Sequence, residues 1–170
     1  MKSNLENIVW DSLSRAQRHW CIGDENVLRY APGFSPIVAF PDPASPDLNA
    51  LLEISQAGES LYCDRWEGPI PERWELVAEK RMKKLILEGA SPTIDPAPEA
   101  LRLTSKHIEA ALELAGLTSP GPFGPRTIEL GEYFGIFDGE HLIAMAGERF
   151  HSGQLREVSA ICTIDRGNND

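Results

Sequence analysis

The side chains that most often carry catalytic chemistry are few and scattered in this sequence. The sequence contains no GxSxG nucleophile elbow, no GxxxxGK[ST] phosphate loop, no HExxH helix and no GxGxxG turn. A histidine without such a motif is more often a surface or capping residue than a ligand. The four histidines, His19, His107, His141 and His151, stand apart from one another. The usual hydrolase, kinase and dehydrogenase mechanisms therefore have no support in the sequence.

The cysteines predict neither a disulfide framework nor a metal site. There are three, Cys21, Cys63 and Cys162, and they are widely separated with no CxxC pair. The N-terminal residues are interrupted by charges throughout, and no run reaches the roughly 18 apolar residues that a membrane span requires. We therefore expect a cytoplasmic protein with no metal and no membrane anchor.

The length limits the number of domains, and the net charge limits the classes of partner. The 170 residues suffice for one domain, or for one domain with a small lobe, and 42% of them are hydrophobic, as in a soluble globular protein. The formal net charge is -10, which repels phosphate backbones and anionic lipid surfaces. The net charge therefore argues against nucleic acid and membranes as partners. A small local site can still bind a phosphorylated cofactor through backbone N–H groups and one or two cations.

The first half of the chain shows short elements separated by turn residues. Apolar spacing predicts a helix over residues 5–20, and Asp47 is expected to cap a short helix over residues 48–54 that ends at Ala57-Gly58. Residues 41–47 contain three prolines and predict neither helix nor strand. Short apolar runs predict three strands, which are Val27 to Tyr30, Ile37 to Phe40 and Ser60 to Cys63.

The middle of the sequence predicts a boundary between two halves of the chain. The segment from Trp74 to Glu88 fits both a helix and a strand, and we favour a strand for its second half. Residues 89–98 contain three prolines in ten positions, which is typical of a linker. We therefore divide the chain into an N-terminal half, 1–88, a linker, 89–98, and a C-terminal half, 99–170.

The C-terminal half predicts one helix followed by three antiparallel strands. Thr104 or Ser105 is expected to cap a helix that Gly116 stops, and residues 119–127 form a rigid loop. Asp138-Gly139 is a hairpin turn signal between two apolar runs. The predicted strands are Tyr133 to Phe137, Leu142 to Phe150 and Leu155 to Thr163. The mixture of helices and strands indicates an α+β layered fold.

The run from Ser119 to Thr163 resembles the core of the GNAT superfamily of acetyl-CoA-dependent N-acetyltransferases, in a subgroup with a degenerate N-terminal half. The resemblance rests on the PGPF loop with Arg126-Thr127, on Glu129-Leu130-Gly131, on the AMAGER run 144–149 and on the EVSAICT run 157–163. The helix carrying Trp10, the Ser35-Pro36 step and the Trp74 region are similar to the upstream half, so the resemblance covers nearly all of residues 5–163.

The resemblance implies a mixed, mostly antiparallel sheet with flanking helices and acetyl-CoA as co-substrate. It implies that Ile161, Cys162 and Thr163 lie on a splayed strand whose backbone pairs with the coenzyme's amide arm. Arg166, Gly167 and Asn168 correspond to the turn that holds the pyrophosphate.

The same resemblance suggests a general base and a substrate contact. Glu157 lies on the strand implied to splay and is the first candidate for the base, with Glu148 and Glu129 weaker. Arg126 either meets an acidic group of the substrate or braces the PGPF loop, and Glu129 is the second predicted substrate-binding residue. For each glutamate, a solvated strand residue is the competing interpretation.

The end of the sequence departs from the family pattern. Asn169 stands where a second small residue belongs, and the sequence stops at Asp170 without the helix that follows in the family, so a C-terminally truncated fold is expected. Two hypotheses remain. The chain is an acetyltransferase for a small-molecule or peptide amine, with impaired activity, or it is a non-catalytic interaction domain that self-associates or pairs with another chain through an uncovered sheet.

Overall fold

The computed structural model describes residues 5–87, 89 and 97–164, and their strands form two four-stranded sheets. In the first sheet, β3 and β4 are parallel and the other neighbours are antiparallel. Its strands are β1 (Cys21–Gly23), β2 (Leu28–Tyr30), β3 (Ile37–Ala39) and β4 (Tyr62–Cys63). The second sheet is antiparallel throughout. Its strands are β5 (Leu101–Arg102), β6 (Tyr133–Asp138), β7 (His141–Ser152) and β8 (Leu155–Thr163). The predicted α+β class is confirmed.

The first helix is shorter than predicted. Helix α1 spans Ile8–Ser14, with the Asn7 side chain accepting from the Trp10 N–H, and a 3-10 helix follows at Arg18–Trp20. The chain turns between them because the Gln17 N–H bonds the Ser12 carbonyl, which directs the Gln17 side chain inward. The prediction of one helix over residues 5–20 is therefore wrong beyond Ser14.

The next helix begins where predicted and ends early. Helix α2 spans Leu48–Glu53, and the Asp47 carboxylate accepts from the Ala50 N–H at 2.9 Å, which confirms the cap. The helix does not reach Ala57-Gly58, because the Ile54 N–H already closes on the Leu51 and Leu52 carbonyls.

The segment after Trp74 forms neither helix nor strand over residues 75–87, so the predicted strand is wrong. A strand requires a neighbour for its N–H and C=O groups, and no described residue pairs with this segment. Its apolar side chains are therefore exposed, Leu85 to 92%. The others are Leu76, Val77, Met82, Ile86 and Leu87. Most of the predicted linker, residues 90–96, lies outside the described residues.

Helix α3 spans Ile108–Thr118, preceded by a 3-10 turn at Ser105–His107. Thr104, one of the two predicted caps, is the N-cap of this 3-10 turn, in a capping box in which His107 Nδ1 accepts from the Thr104 N–H at 2.9 Å. The α-helix itself begins after His107, which makes no side-chain cap. Gly116 lies inside the helix and does not stop it. Ser119 ends the helix in the left-handed region, φ 49°, with its N–H bonded to the Ala115 carbonyl.

The three-strand meander is confirmed, with its first turn displaced by one residue. Asp138 pairs with His141, so the central turn residues are Gly139 and Glu140, and Gly139 has φ 61°. A third 3-10 turn, Thr127–Leu130, leads into β6. The short strand β5 was not predicted, since two residues carry no periodicity.

Hydrophobic clusters connect the two halves of the chain. One cluster combines α1, β2 and β3 with Leu130 and Phe150 of the second half, and the rings of Tyr30 and Phe150 stack at 6.3 Å. Another lies between α3 and the second sheet, around Leu114 and Met145. The first half thus packs against β7. None of the helices within the described ranges is long and apolar enough to cross a membrane.

Candidate active site

Strand β8 carries a bulge at the edge of the second sheet. Cys162 pairs with Met145, and Ser159 pairs with Gly147. Two residues of β8 therefore lie between these pairs, whereas β7 has only one. Ala160 takes up the extra residue with φ 51°, a conformation that non-glycine residues rarely adopt. Val158 and Ile161, on either side, are 60% and 70% exposed. Such strained, bulged edges are frequent at functional sites.

The PGPF loop is fixed in front of this strand by the first half of the chain. The buried Ser35 hydroxyl donates to the Pro122 carbonyl at 2.9 Å and lies 3.0 Å from the Thr127 hydroxyl. The Thr127 hydroxyl in turn accepts from the Gly124 N–H at 2.8 Å. A Cβ on Gly124 would stand 2.5 Å from the Gly33 carbonyl oxygen. The backbone of the PGPF loop at Gly124 is therefore in direct contact with the backbone of the first half of the chain at Gly33.

A shallow surface cleft, with no enclosed space large enough for a water molecule, lies between the loop and the bulge. Its walls include Pro122, Phe123, Tyr133, Arg149, Ser159 and Ala160. The Tyr133 ring lies directly over Gly147, where a Cβ would come within 2.2 Å of it. Phe123 meets the same ring edge-on, with centroids 5.9 Å apart. The cleft therefore combines apolar walls with a few polar groups, as small-ligand sites commonly do.

Tyr133 is fully buried, at 0% exposure, and its hydroxyl has no hydrogen-bond partner among the described residues. Burial raises the pKa of this hydroxyl well above its usual range. Tyr133 is therefore a neutral phenol at physiological pH, able to donate one hydrogen bond.

An ion pair borders the cleft. The Arg149 Nε and Nη2 atoms each lie 3.2 Å from a Glu157 carboxylate oxygen. The two side chains are 14% and 28% exposed, and the Arg149 guanidinium also lies 4.9 Å from the Phe150 ring centre. Glu157, the predicted base, is thus held in a bidentate contact beside the cleft.

Arg126 and Glu129, the predicted substrate contacts, bind each other. The distances are 2.9 and 2.8 Å, and the hydrogen bonds from Arg126 lower the pKa of the Glu129 carboxyl. The Arg126 guanidinium also lies over the Phe34 ring at 4.3 Å and the Trp20 ring at 5.3 Å. These contacts account for loop bracing.

The predicted coenzyme residues divide into two groups. Cys162, opposite Met145, is half-buried, whereas Ile161 and Thr163 are exposed on β8. Arg166, Gly167 and Asn168 lie outside the described residues. Glu148, the other weak base candidate, has a carboxylate oxygen 3.4 Å from His151 Nε2.

The sequence interpretation missed Tyr133, Arg149, Ser159 and Ala160 as cleft residues. All four lie in predicted strands, but the pattern shows only alternation and not the bulge that brings them together. Among the described residues, no three histidine, cysteine, aspartate or glutamate side chains cluster as metal ligands would.

The antiparallel sheet with flanking helices is the α+β fold expected of the GNAT superfamily. No family model and no curated protein matches the sequence. A solved structure does: a protein assigned as an acetyltransferase of the GNAT family from Novosphingobium aromaticivorans superimposes with a TM-score of 0.74 at 25% identity. The match covers 97% of this chain and 73% of that one. Over nearly its whole length the chain therefore has the fold of this GNAT-family protein.

Proposed function

We propose that the chain is an N-acetyltransferase that transfers the acetyl group of acetyl-CoA to an amine of a small molecule or peptide. The observation that carries this proposal is the bulged edge of β8 beside the Tyr133 cleft, within a GNAT fold. In this reaction the amine nitrogen bonds to the thioester carbon, the carbon–sulfur bond breaks, and the amine loses a proton while the thiolate gains one. The protein must therefore align two substrates and manage one proton.

The coenzyme's amide arm is proposed to lie along residues 161–163. This part of β8 is the last described strand of its sheet, and Ile161 and Thr163 are exposed, which supports the addition of an extended ligand. Arg166, Gly167 and Asn168 are proposed to hold the pyrophosphate with backbone N–H groups and one guanidinium.

Glu157 is proposed to accept the amine proton, directly or through a water molecule. Its neighbour Arg149 fixes the carboxylate next to the cleft wall, which supports a role at the reacting centre. Glu129 is a poorer candidate because its partner Arg126 does not line the cleft, and Glu148 is engaged with His151. Arg126 and Glu129 are proposed to contact the acceptor from the outer side of the PGPF loop, where both are partly exposed.

The chain organisation and setting are part of the same proposal. Residues 1–88 form a degenerate GNAT-like half, 89–98 a linker and 99–170 the catalytic half. The net charge of -10 supports an acceptor that is neither nucleic acid nor a membrane component, and the unpaired cysteines support a reducing, cytoplasmic setting.

The test is calorimetric titration of the 170-residue chain with acetyl-CoA. We expect saturable binding, and no binding at millimolar coenzyme contradicts the proposal. Thiol release with a panel of amines then measures transfer. Glu157→Gln is expected to lower the transfer rate about 10²–10⁴-fold without loss of coenzyme binding. Glu109→Gln, in the first turn of α3, is the matched control and is expected to leave both unchanged.

A second candidate function is a non-catalytic domain that pairs with itself or another chain through β8. The exposed Val158 and Ile161 on this edge favour it, since uncovered edge strands recruit other strands. Light scattering distinguishes the candidates. Self-association that Val158→Lys abolishes supports pairing through β8, whereas a monomer that binds acetyl-CoA contradicts it.

A further inference from the structure

The segment that follows Trp74 ends in a stretch that is both basic and apolar. We call residues 80–87 the basic segment. It has no acidic residue and four exposed cations, which are Lys80, Arg81, Lys83 and Lys84. More than half of each of its apolar side chains is exposed, with values of 74% for Met82, 92% for Leu85, 51% for Ile86 and 72% for Leu87. Exposed apolar side chains grouped in this way mark a surface that contacts a partner.

The backbone of the basic segment has no neighbouring strand. Residues 75–87 form neither helix nor strand, and none of the described strands pairs with them. An ion pair between Lys84 and Asp64 holds the segment to the first half of the chain. A segment whose N–H and C=O groups lack strand partners can add to the exposed edge of a sheet as a further strand.

The same chain contains such an edge. Within the described ranges β8 is the last strand of the second sheet, and Val158 on it is 60% exposed. The bulge at Ala160 interrupts this edge, so residues 155–159 form a separate stretch from the residues 161–163 proposed for the coenzyme arm. Edge strands that lack a cover recruit other strands.

The distribution of charge favours a second copy of this chain as the partner. The basic segment contributes +4 to a total of -10, so the remaining residues carry -14. A second copy therefore attracts the segment, whereas the rest of the chain is repelled by anionic lipid surfaces and by nucleic acid. On β8 itself Arg156 and Glu157 balance, so the attraction is long-range and weakens as salt is added.

We propose that the basic segment of one copy adds as a strand to residues 155–159 of β8 in a second copy, and that the second copy makes the same contact in return. A two-fold axis relates the two contacts, so together they close a dimer. Each contact is one short strand wide, and we expect a Kd of about 1–100 µM. The dimer does not depend on acetyl transfer.

The experiment is sedimentation velocity of the full chain over a dilution series. We expect a dimer that dissociates on dilution and on addition of salt. Leu85→Pro removes a backbone donor from the centre of the basic segment and should weaken the dimer at least about 10-fold. The fold should survive, because this residue is 92% exposed. Leu76→Pro is the matched control, since it lies in the same irregular stretch before the basic segment, and is expected to leave the dimer unchanged.

Mixing two variants tests whether the segment and β8 contact each other. Val158→Lys places a cation opposite the basic segment, so this variant is also expected to be monomeric. A mixture of Leu85→Pro and Val158→Lys keeps one intact contact, between the segment of the second variant and β8 of the first. The mixture should therefore form a dimer, weaker than that of the unaltered chain.

The outcomes separate this inference from the proposed function. An unaltered chain that stays monomeric at about 300 µM overturns the dimer, even where it binds acetyl-CoA and the proposed function stands. A dimer that Leu85→Pro leaves unchanged, or a mixture that remains monomeric, overturns the contact between the segment and β8. A monomer that sediments with phosphatidylserine vesicles, and loses this binding in Leu85→Pro, also overturns it, since the segment then binds lipid.

Discussion

Two tyrosines that are both fully buried stand in opposite hydrogen-bonding situations. Tyr30 of β2 lies at what we call the junction, the buried cluster of Ser12, Gln17 and Tyr30 where α1 meets β7. Its hydroxyl donates to Gln17 Oε1 at 2.6 Å. Tyr133 of β6 lies at the cleft and has no partner within the described residues. The pKa of each hydroxyl is raised by burial, so both are neutral donors, and only one of them is used by the fold.

The difference separates a buried hydroxyl that the fold uses from one that the fold leaves unpaired. At the junction every polar atom of the Gln17 amide is used, because Nε2 donates to the Leu130 and Arg149 carbonyls while Oε1 accepts from Ser12 and Tyr30. Fully satisfied buried networks rigidify a fold. At the cleft, by contrast, the Tyr133 hydroxyl has no partner among the described residues, and Ala160 nearby holds a strained backbone conformation.

Gln17→Ala is expected to have the largest effect on stability. It leaves the Leu130 carbonyl and the Ser12 and Tyr30 hydroxyls without their partner in a buried region, so unfolding should require about 2–5 kcal/mol less. Urea denaturation measures the change. Gln56→Ala, at an exposed position, is the control. If both variants unfold at the same urea concentration, the junction does not hold the halves together.

A pair of glycine substitutions tests the packing of the cleft. Gly147→Ala drives a Cβ into the Tyr133 ring, so we expect about 1–3 kcal/mol of destabilisation from overpacking, with weaker acetyl-CoA binding. Gly116→Ala adds the same methyl group to helix α3, where nothing lies within 4 Å, and should stabilise by about 0.5–1 kcal/mol. Thermal unfolding of both variants should therefore move in opposite directions. A destabilised Gly116→Ala, or a neutral Gly147→Ala, contradicts the geometry of the site.

The comparison also shows what the sequence can predict. The Asp47 cap and the three-strand meander follow from local rules, because a cap needs one side chain and a hairpin needs one turn. The structure of residues 75–87 does not follow from local rules. Their apolar pattern is compatible with a strand, but a strand also needs a neighbouring strand, which depends on the tertiary fold.

The candidate site is predictable only in part for a related reason. Residues 157–163 were identified through family resemblance. The bulge at Ala160 changes which β7 residues they face, and this shift has no local signal. A one-residue change of register exchanges the faces of a strand, so the meeting of Tyr133, Arg149 and Ser159 follows from the folded sheet and not from the alternation pattern.

Phenylalanine substitutions at the two tyrosines test the comparison directly. Tyr30→Phe removes a used hydrogen bond and should lower the free energy of unfolding by about 1 kcal/mol. Tyr133→Phe removes an unused hydroxyl, so the ligand-free protein should stay within about 0.5 kcal/mol of the parent or gain stability. Urea denaturation without coenzyme measures both. A larger loss for Tyr133→Phe than for Tyr30→Phe indicates that the hydroxyl has a partner in the free protein.

The smallest expected effect is a pH dependence at the junction. His151 donates its backbone N–H to Ser12 Oγ at 2.9 Å, and burial lowers the pKa of its ring below the ordinary value of 6.5. Nearby Arg156 acts in the same direction, and Glu148 opposes both. The lowered pKa means that the unfolded chain binds a proton before the folded chain does. The contribution of His151 to stability is therefore complete above about pH 6.5 and is lost as the pH falls through the folded-state pKa.

His151→Gln should accordingly flatten the pH dependence of stability between pH 7 and pH 5, by a fraction of a kcal/mol because the ring is partly exposed. Urea denaturation at several pH values measures the slope, with His141→Gln, at the exposed start of β7, as the control. A variant slope equal to that of the parent contradicts the assignment, because removal of a group with a lowered pKa must reduce the proton uptake that accompanies unfolding.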